Sequence, residues 1–150
     1  MRGTEKLKLH GSMTATLIKP SGEVMVTHKN NMVVDVGFDF IADAMCKSPS
    51  RPDIMGYIGV GKGTTAVSGT QAALVDEIGV RQSAVYAHTA GTKSFTLSTF
   101  LDAGTATGPI TEAAVFNAAV AGAMLDRVVF DVINKGAADT LTVAFTFNMQ

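Results

Sequence analysis

The stretch that decides the fold is Gly104–Gln150, GTATGPITEAAVFNAAVAGAMLDRVVFDVINKGAADTLTVAFTFNMQ. It holds three β-like runs, each preceded by a turn. Ile110, Glu112, Ala114 and Phe116 alternate with Thr111, Ala113, Val115 and Asn117. Met124 to Ile133 follows the turn at Gly122. Leu141, Val143, Phe145 and Phe147 alternate with Thr142, Ala144, Thr146 and Asn148. Alternation of β-branched and aromatic residues between Gly/Asn/Asp clusters marks half-buried antiparallel strands. These runs therefore read as a closing meander with Phe116, Phe130 and Phe145 in one core, and the earlier chain must supply its cover.

Working outward, Met13–Lys19 and Glu23–Lys29 flank Pro20-Ser21-Gly22, where Pro presets φ and Gly accepts a positive one, so they read as a hairpin. The best helix lies between Asp35 and Cys46. Asp35 is placed to cap its first turn, and Phe38, Ile41, Ala42 and Met45 fall on one face, with Asp39 and Asp43 opposite. Gly37 inside it costs about 1 kcal/mol. Ser48-Pro49-Ser50-Arg51-Pro52 ends the segment, since Pro cannot continue a helix. Then come a strand at Ile54–Val60, an exposed loop at Gly61–Gly69, a helical turn at Gln71–Glu77, and strands at Ile78–His88 and Lys93–Leu101. About eight short strands and one helix, evenly spaced, give a mainly β fold. It is an antiparallel β-sandwich, jelly-roll-like or meander. Residues 1–12 read as an N-terminal arm, and residues 13–150 as a single domain.

Composition narrows the function. With 47% hydrophobic and 17% charged residues, the 150-residue chain can bury a core. A net charge of −1 with no basic run argues against gripping nucleic acid by its phosphates or docking electrostatically on a membrane. The lone Cys46 has no disulfide partner, and no Cys/His cluster suits zinc. The sequence shows neither the apolar core of a signal peptide nor a membrane-spanning apolar run, which fits a chain made in a reducing cytosol.

Several sites tempt and fail. Gly56–Gly63 nearly matches a phosphate-binding loop, but Gly63 stands where that loop needs Ser or Thr, so a tight glycine bend at a strand end is expected. His10, His28 and His88 are scattered and read as solvated, and Cys46 reads as a small buried apolar group. Glu112 and Arg127 on adjacent strands read as a cross-strand ion pair rather than as acid/base machinery. No catalytic residue, metal site or cofactor is expected.

The same stretch carries a resemblance. Thr111-Glu112-Ala113, Phe116-Asn117-Ala118, Met124, Arg127, Val129-Phe130, Ile133-Asn134-Lys135 and Asp139-Thr140-Leu141 with Val143 look like the C-terminal half of small tailed-bacteriophage virion proteins. Upstream, Lys29-Asn30 through Gly37, Ile58 through Ala66, Leu74 and Glu77 fit the same group, so the similarity spans residues 23–148. That group mixes capsid decoration (cement) proteins with tail-fibre and baseplate components. The resemblance implies a non-enzymatic virion part, most concretely a decoration protein that bridges major capsid subunits and associates with copies of itself. A tail-fibre or baseplate module is the alternative, a carbohydrate-binding sandwich a remoter one, and a hydrolase fits least. Within the arm, Arg2, Lys6, Leu7 and Lys8 are the expected interface residues, mobile until a partner orders them.

Overall fold

The structure, a computed structural model, describes residues 6–150. Ten strands and one helix follow one another: β1 (Leu9–Ile18), β2 (Val24–Asn30), β3 (Met32–Val33), α1 (Asp35–Cys46), β4 (Tyr57–Gly61), β5 (Glu77–Ser83), β6 (Val85–His88), β7 (Ser94–Leu101), β8 (Gly108–Phe116), β9 (Asp126–Lys135) and β10 (Thr140–Met149). They form two five-stranded antiparallel sheets. The first runs β2-β1-β10-β7-β6 and the second β3-β9-β8-β4-β5. Met13, Leu17, Leu97, Leu141, Phe145 and Phe147 of the first sheet meet Ile58, Val60, Ile110, Val115 and Val128 of the second in one core, which makes the fold a β-sandwich.

The β1–β2 hairpin forms as its turn residues dictate. The closing meander does not. β8 and β9 pair, but β10 crosses to the other sheet and lies between β1 and β7. The run Ile78–His88 also divides: β5 belongs to the second sheet and β6 to the first, with Ala84 at the crossing, where its N–H donates to the Gly56 carbonyl at 2.8 Å. The arm is shorter than expected as well. Leu9–Ser12 pair with Met149–Thr146, and the Lys8 and Gln150 backbones exchange hydrogen bonds of 2.6 and 2.9 Å.

The helix has the expected bounds and a different inner face. Val34, not Asp35, is the capping position, and it makes no side-chain cap; Asp35 is the first helical residue, where its charge suits the helix N-terminus. Gly37 is buried, and Phe40, Ile41 and Ala44 are partly buried, while Phe38 and Met45 are exposed. The 3.6-residue rhythm thus starts one residue earlier than the sequence suggests. The cause is contact: a Cβ on Gly37 would collide with the Leu125 carbonyl, so glycine brings the helix down onto the chain leading into β9. Cys46, expected buried, is exposed at the helix end. The turn expected at Gln71–Glu77 is irregular chain until β5 begins.

β8 is buried along both faces from Ile110 to Phe116. Ala113 and Val115 point into the main core, while Ala114 and Phe116 join Val34, Leu74 and Met124 in a second apolar cluster on the outside of the sheet. Phe130 and Phe145 therefore share a core, and Phe116 lies in the other.

Candidate functional site

The ionisable residues of the 111–127 region are engaged in structure. The register between β8 and β9 shifts between Ile110 and Glu112, and the successive side chains of Thr111 and Glu112 both reach Gly63. Thr111 Oγ1 donates to the Gly63 carbonyl at 2.8 Å, and Glu112 accepts the N–H groups of Gly63, Val75 and Asp76 at 3.0, 3.0 and 2.8 Å. Arg127 Nε and Nη2 both stand 2.8 Å from Glu112 Oε2, as expected for a cross-strand pair, and both side chains are fully buried. Arg127 Nη1 goes on to the Thr65 carbonyl at 2.8 Å and to Gln71 Oε1 at 3.1 Å. Burial alone would push the Glu112 carboxyl up; its backbone N–H donors and the Arg127 guanidinium outweigh this and hold it below the usual carboxylate range. This ion pair straps the 62–76 segment across the second sheet.

The glycine-rich stretch serves the same strap. Tyr57–Gly61 is the interior strand β4, not a bend. Ile58 and Val60 enter the core, and a Cβ at Gly61 or Gly63 would strike the Glu112 carboxylate and the 75–76 segment. Lys62 lies 3.8 Å from Asp76 rather than over a phosphate cradle. The opposite end of the sheet has a second tie. Arg81 pairs with Glu77 at 2.7 Å, donates to the Ala118 and Ala121 carbonyls at 3.0 and 2.7 Å, and stacks 3.4 Å from the Phe116 ring centroid. His10, His28 and His88 are exposed and far apart along the chain, and no group of three His, Cys, Asp or Glu among the described residues could hold a metal.

The sequence shows Asp126 only as a carboxylate that does not converge with Glu112 and Asp131, and gives no sign of its burial. In the structure Asp126 is completely buried, accepting Asn31 Nδ2–H and, at 3.0 Å, the Val115 N–H. Burial pushes its carboxyl up to about 7 against the pull of those two donors. Lys135 is also buried, donating to the Asp102 carbonyl at 3.0 Å; burial draws its ammonium down, opposed by Asp139 and Asp102.

One end of the sandwich leaves apolar surface open. Leu7 is 77% exposed and stands on the lip of a cavity of about 230 Å³ between α1 and the sandwich end, lined by Leu9, Phe40, Ile41, Met55 and Phe95. A second hollow of about 410 Å³ shares Phe40, Met55 and Phe95 and runs on to Tyr86 and the 81%-exposed Ile54. Aromatic rings link this groove to the core: Tyr86 to Phe95 at 6.3 Å, Phe95 to Phe147 at 5.1 Å, Phe147 to Phe145 at 6.2 Å. Of the residues expected at an interface, Leu7 stands on this groove, Lys6 and Lys8 are its exposed neighbours in sequence, and Arg2 lies outside the described residues. Phe40 was legible as part of a helix but not as a groove wall, because its role depends on where Gly37 lets the helix settle.

Comparison with protein-family models, curated proteins and solved structures returns no match.

Proposed function

We propose that the chain is a non-enzymatic virion structural protein of the tailed-bacteriophage kind. In this reading it is a decoration protein that sits on an assembled shell and ties neighbouring major capsid subunits together. The observation that carries the binding reading is the exposed apolar groove at the sandwich end, with Leu7 on its lip and Ile54 and Tyr86 at its far side. Contiguous apolar surface of this kind favours a protein partner, and the exposed Lys6 and Lys8 on either side of Leu7 in the sequence suit acidic groups around the partner's apolar anchor. The resemblance at residues 23–148 supplies the virion context. The chemistry of Glu112 and Arg127 supports a mechanical role, because both side chains are spent on the 62–76 strap. No cofactor, nucleic acid or membrane enters this reading.

The test is retention on particles. Leu7→Glu, and separately deletion of residues 2–8, are expected to reduce the amount of the chain on purified particles several-fold while its circular dichroism stays unchanged. Full occupancy with both variants sinks the attachment groove. Imaging of the same particles separates the readings: density on the shell lattice supports decoration, and density confined to the tail replaces it with a tail-fibre or baseplate module.

A further inference from the structure

The outward face of the first sheet is set apart by its lack of charge. Cross-strand register fixes which side chains stand together: Val26, Thr16, Thr142 and Phe100 form one row, and Val24, Ile18 and Thr140 the row beside it. The rows beyond hold His28, Thr14, Ala144, Ser98 and Val85, and then Asn30, Ser12, Thr146, Thr96 and Ala87. No outward position of the five strands carries Asp, Glu, Lys or Arg. An ordinary soluble surface is about 25–35% charged, so a bare face of this extent is unusual. Depletion of charge with retained apolar residues is what marks the centre of protein interfaces. Ile18, Val24, Val26 and Phe100 are 41%, 55%, 64% and 55% exposed and supply the apolar part at one end.

We propose that this face docks against the same face of a second copy of the chain. Charge decides between occupants. A foreign surface of ordinary composition would bury its ions here with no counter-charge to meet them, which costs several kcal/mol per ion. A second copy brings none. Ser and Thr hydroxyls both donate and accept, so the face satisfies itself under a two-fold axis. Size is also sufficient. Five strands about 4.8 Å apart and about eight residues long make a face of about 600 Å²; two copies would bury about 1,200 Å², the lower end of the range for specific complexes. The proposal does not rest on the groove beside Leu7, which lies at the end of the sandwich and stays free in such a pair.

The experiment is sedimentation velocity on the full chain from about 1 to 200 μM, with Thr142→Lys and Ser98→Lys on the face and Val120→Lys on a loop of the second sheet as control. The wild type and the control are expected to sediment at twice the mass of one chain at the upper concentrations. Both face variants are expected to be monomeric, with weakening of at least about 100-fold and unchanged far-ultraviolet circular dichroism. A wild type that is monomeric throughout overturns the proposal and leaves the face to a foreign partner. A pair that survives both face variants, or is lost only in the control, also overturns it. Since occupancy on particles is read separately, failure here leaves the attachment groove standing, and the reverse holds too.

Discussion

The central strands of the second sheet, β8 and β4, are covered on both faces by their own chain, whereas the first sheet is covered on one. Outside the second sheet lie the 62–76 strap, the start of α1 and the 117–123 loop, held by Glu112, Arg127 and Arg81. Outside the first, among the described residues, stand its own threonines and serines, His28, Asn30 and a few exposed apolar side chains. The two sheets therefore place charge in opposite ways. The second buries ions, each with partners, to fasten irregular chain whose backbone groups would otherwise lack them. The first keeps ions off a face that its own chain leaves bare. The contrast teaches that the chain covers the centre of one sheet itself and leaves the outer face of the other bare.

The largest effect should come from the buried strap. Arg127→Ala leaves the Glu112 carboxylate without its cation and is expected to cost about 3–5 kcal/mol in urea unfolding. If the loss is under about 1 kcal/mol, the strap is not what covers the second sheet. Next is Asp126. Its carboxyl ordinarily titrates at 3.8 and here at about 7, so the folded chain holds a proton that the unfolded chain gives up between those values. The contribution is favourable below about 3.8 and is lost as pH rises through 7, on the order of 4 kcal/mol across the window. Asp126→Asn keeps the acceptor for Val115 and can donate to Asn31 Oδ1, which otherwise has no partner. Its thermal midpoint is expected to lose the decline between about pH 4 and 8 and to exceed the wild type at the upper end. A variant that is less stable at pH 8 would show that Asp126 is ionised and needed as such. The smallest effect belongs to the bare face: Thr142→Ala is expected to change monomer stability by no more than about 0.5 kcal/mol. A larger loss would make that face part of the fold rather than a contact surface.

The same contrast explains what could be read in the sequence. β1 and β10 alternate because one face is dry and one is not, so Met13, Ala15 and Leu17, and Leu141 to Phe147, announced themselves. β8 is dry on both faces, so its alternation carried no information about which side Phe116 takes, and Phe116 went to the outer cluster. The bounds of α1 were legible from the prolines and the apolar rhythm, but its orientation depended on Gly37 meeting Leu125, a contact between residues far apart in sequence. The Glu112–Arg127 pair was legible because the two residues sit on neighbouring strands. Its acceptance of the Gly63, Val75 and Asp76 N–H groups was not, since that segment has no periodicity of its own and is ordered from 36 to 49 residues away. Leu7 was legible as exposed and apolar, but the groove beside it needed Phe40, Met55 and Phe95 brought together from three elements or loops.

The pairing of β1 with β10 has a mechanical consequence. Lys8 and Gln150 lie side by side, and the ladder between the two strands runs from Leu9–Met149 at that end to Ile18–Thr140 at the far end. Antiparallel hydrogen bonds lie across the strands, along the line of a force that pulls Lys8 and Gln150 apart. Such a force loads one pair of bonds at a time and opens the ladder like a zipper. A force applied between Lys8 and Asp102, by contrast, runs along the strands, because Asp102 follows β7 at the far end of the ladder, and it must shear the β1–β10 and β10–β7 ladders together. The molecule should thus yield at low tension when tugged at Lys8 and Gln150 and resist when held between Lys8 and Asp102. A tether meant to bear load belongs at Asp102, and one meant to let go belongs at Gln150.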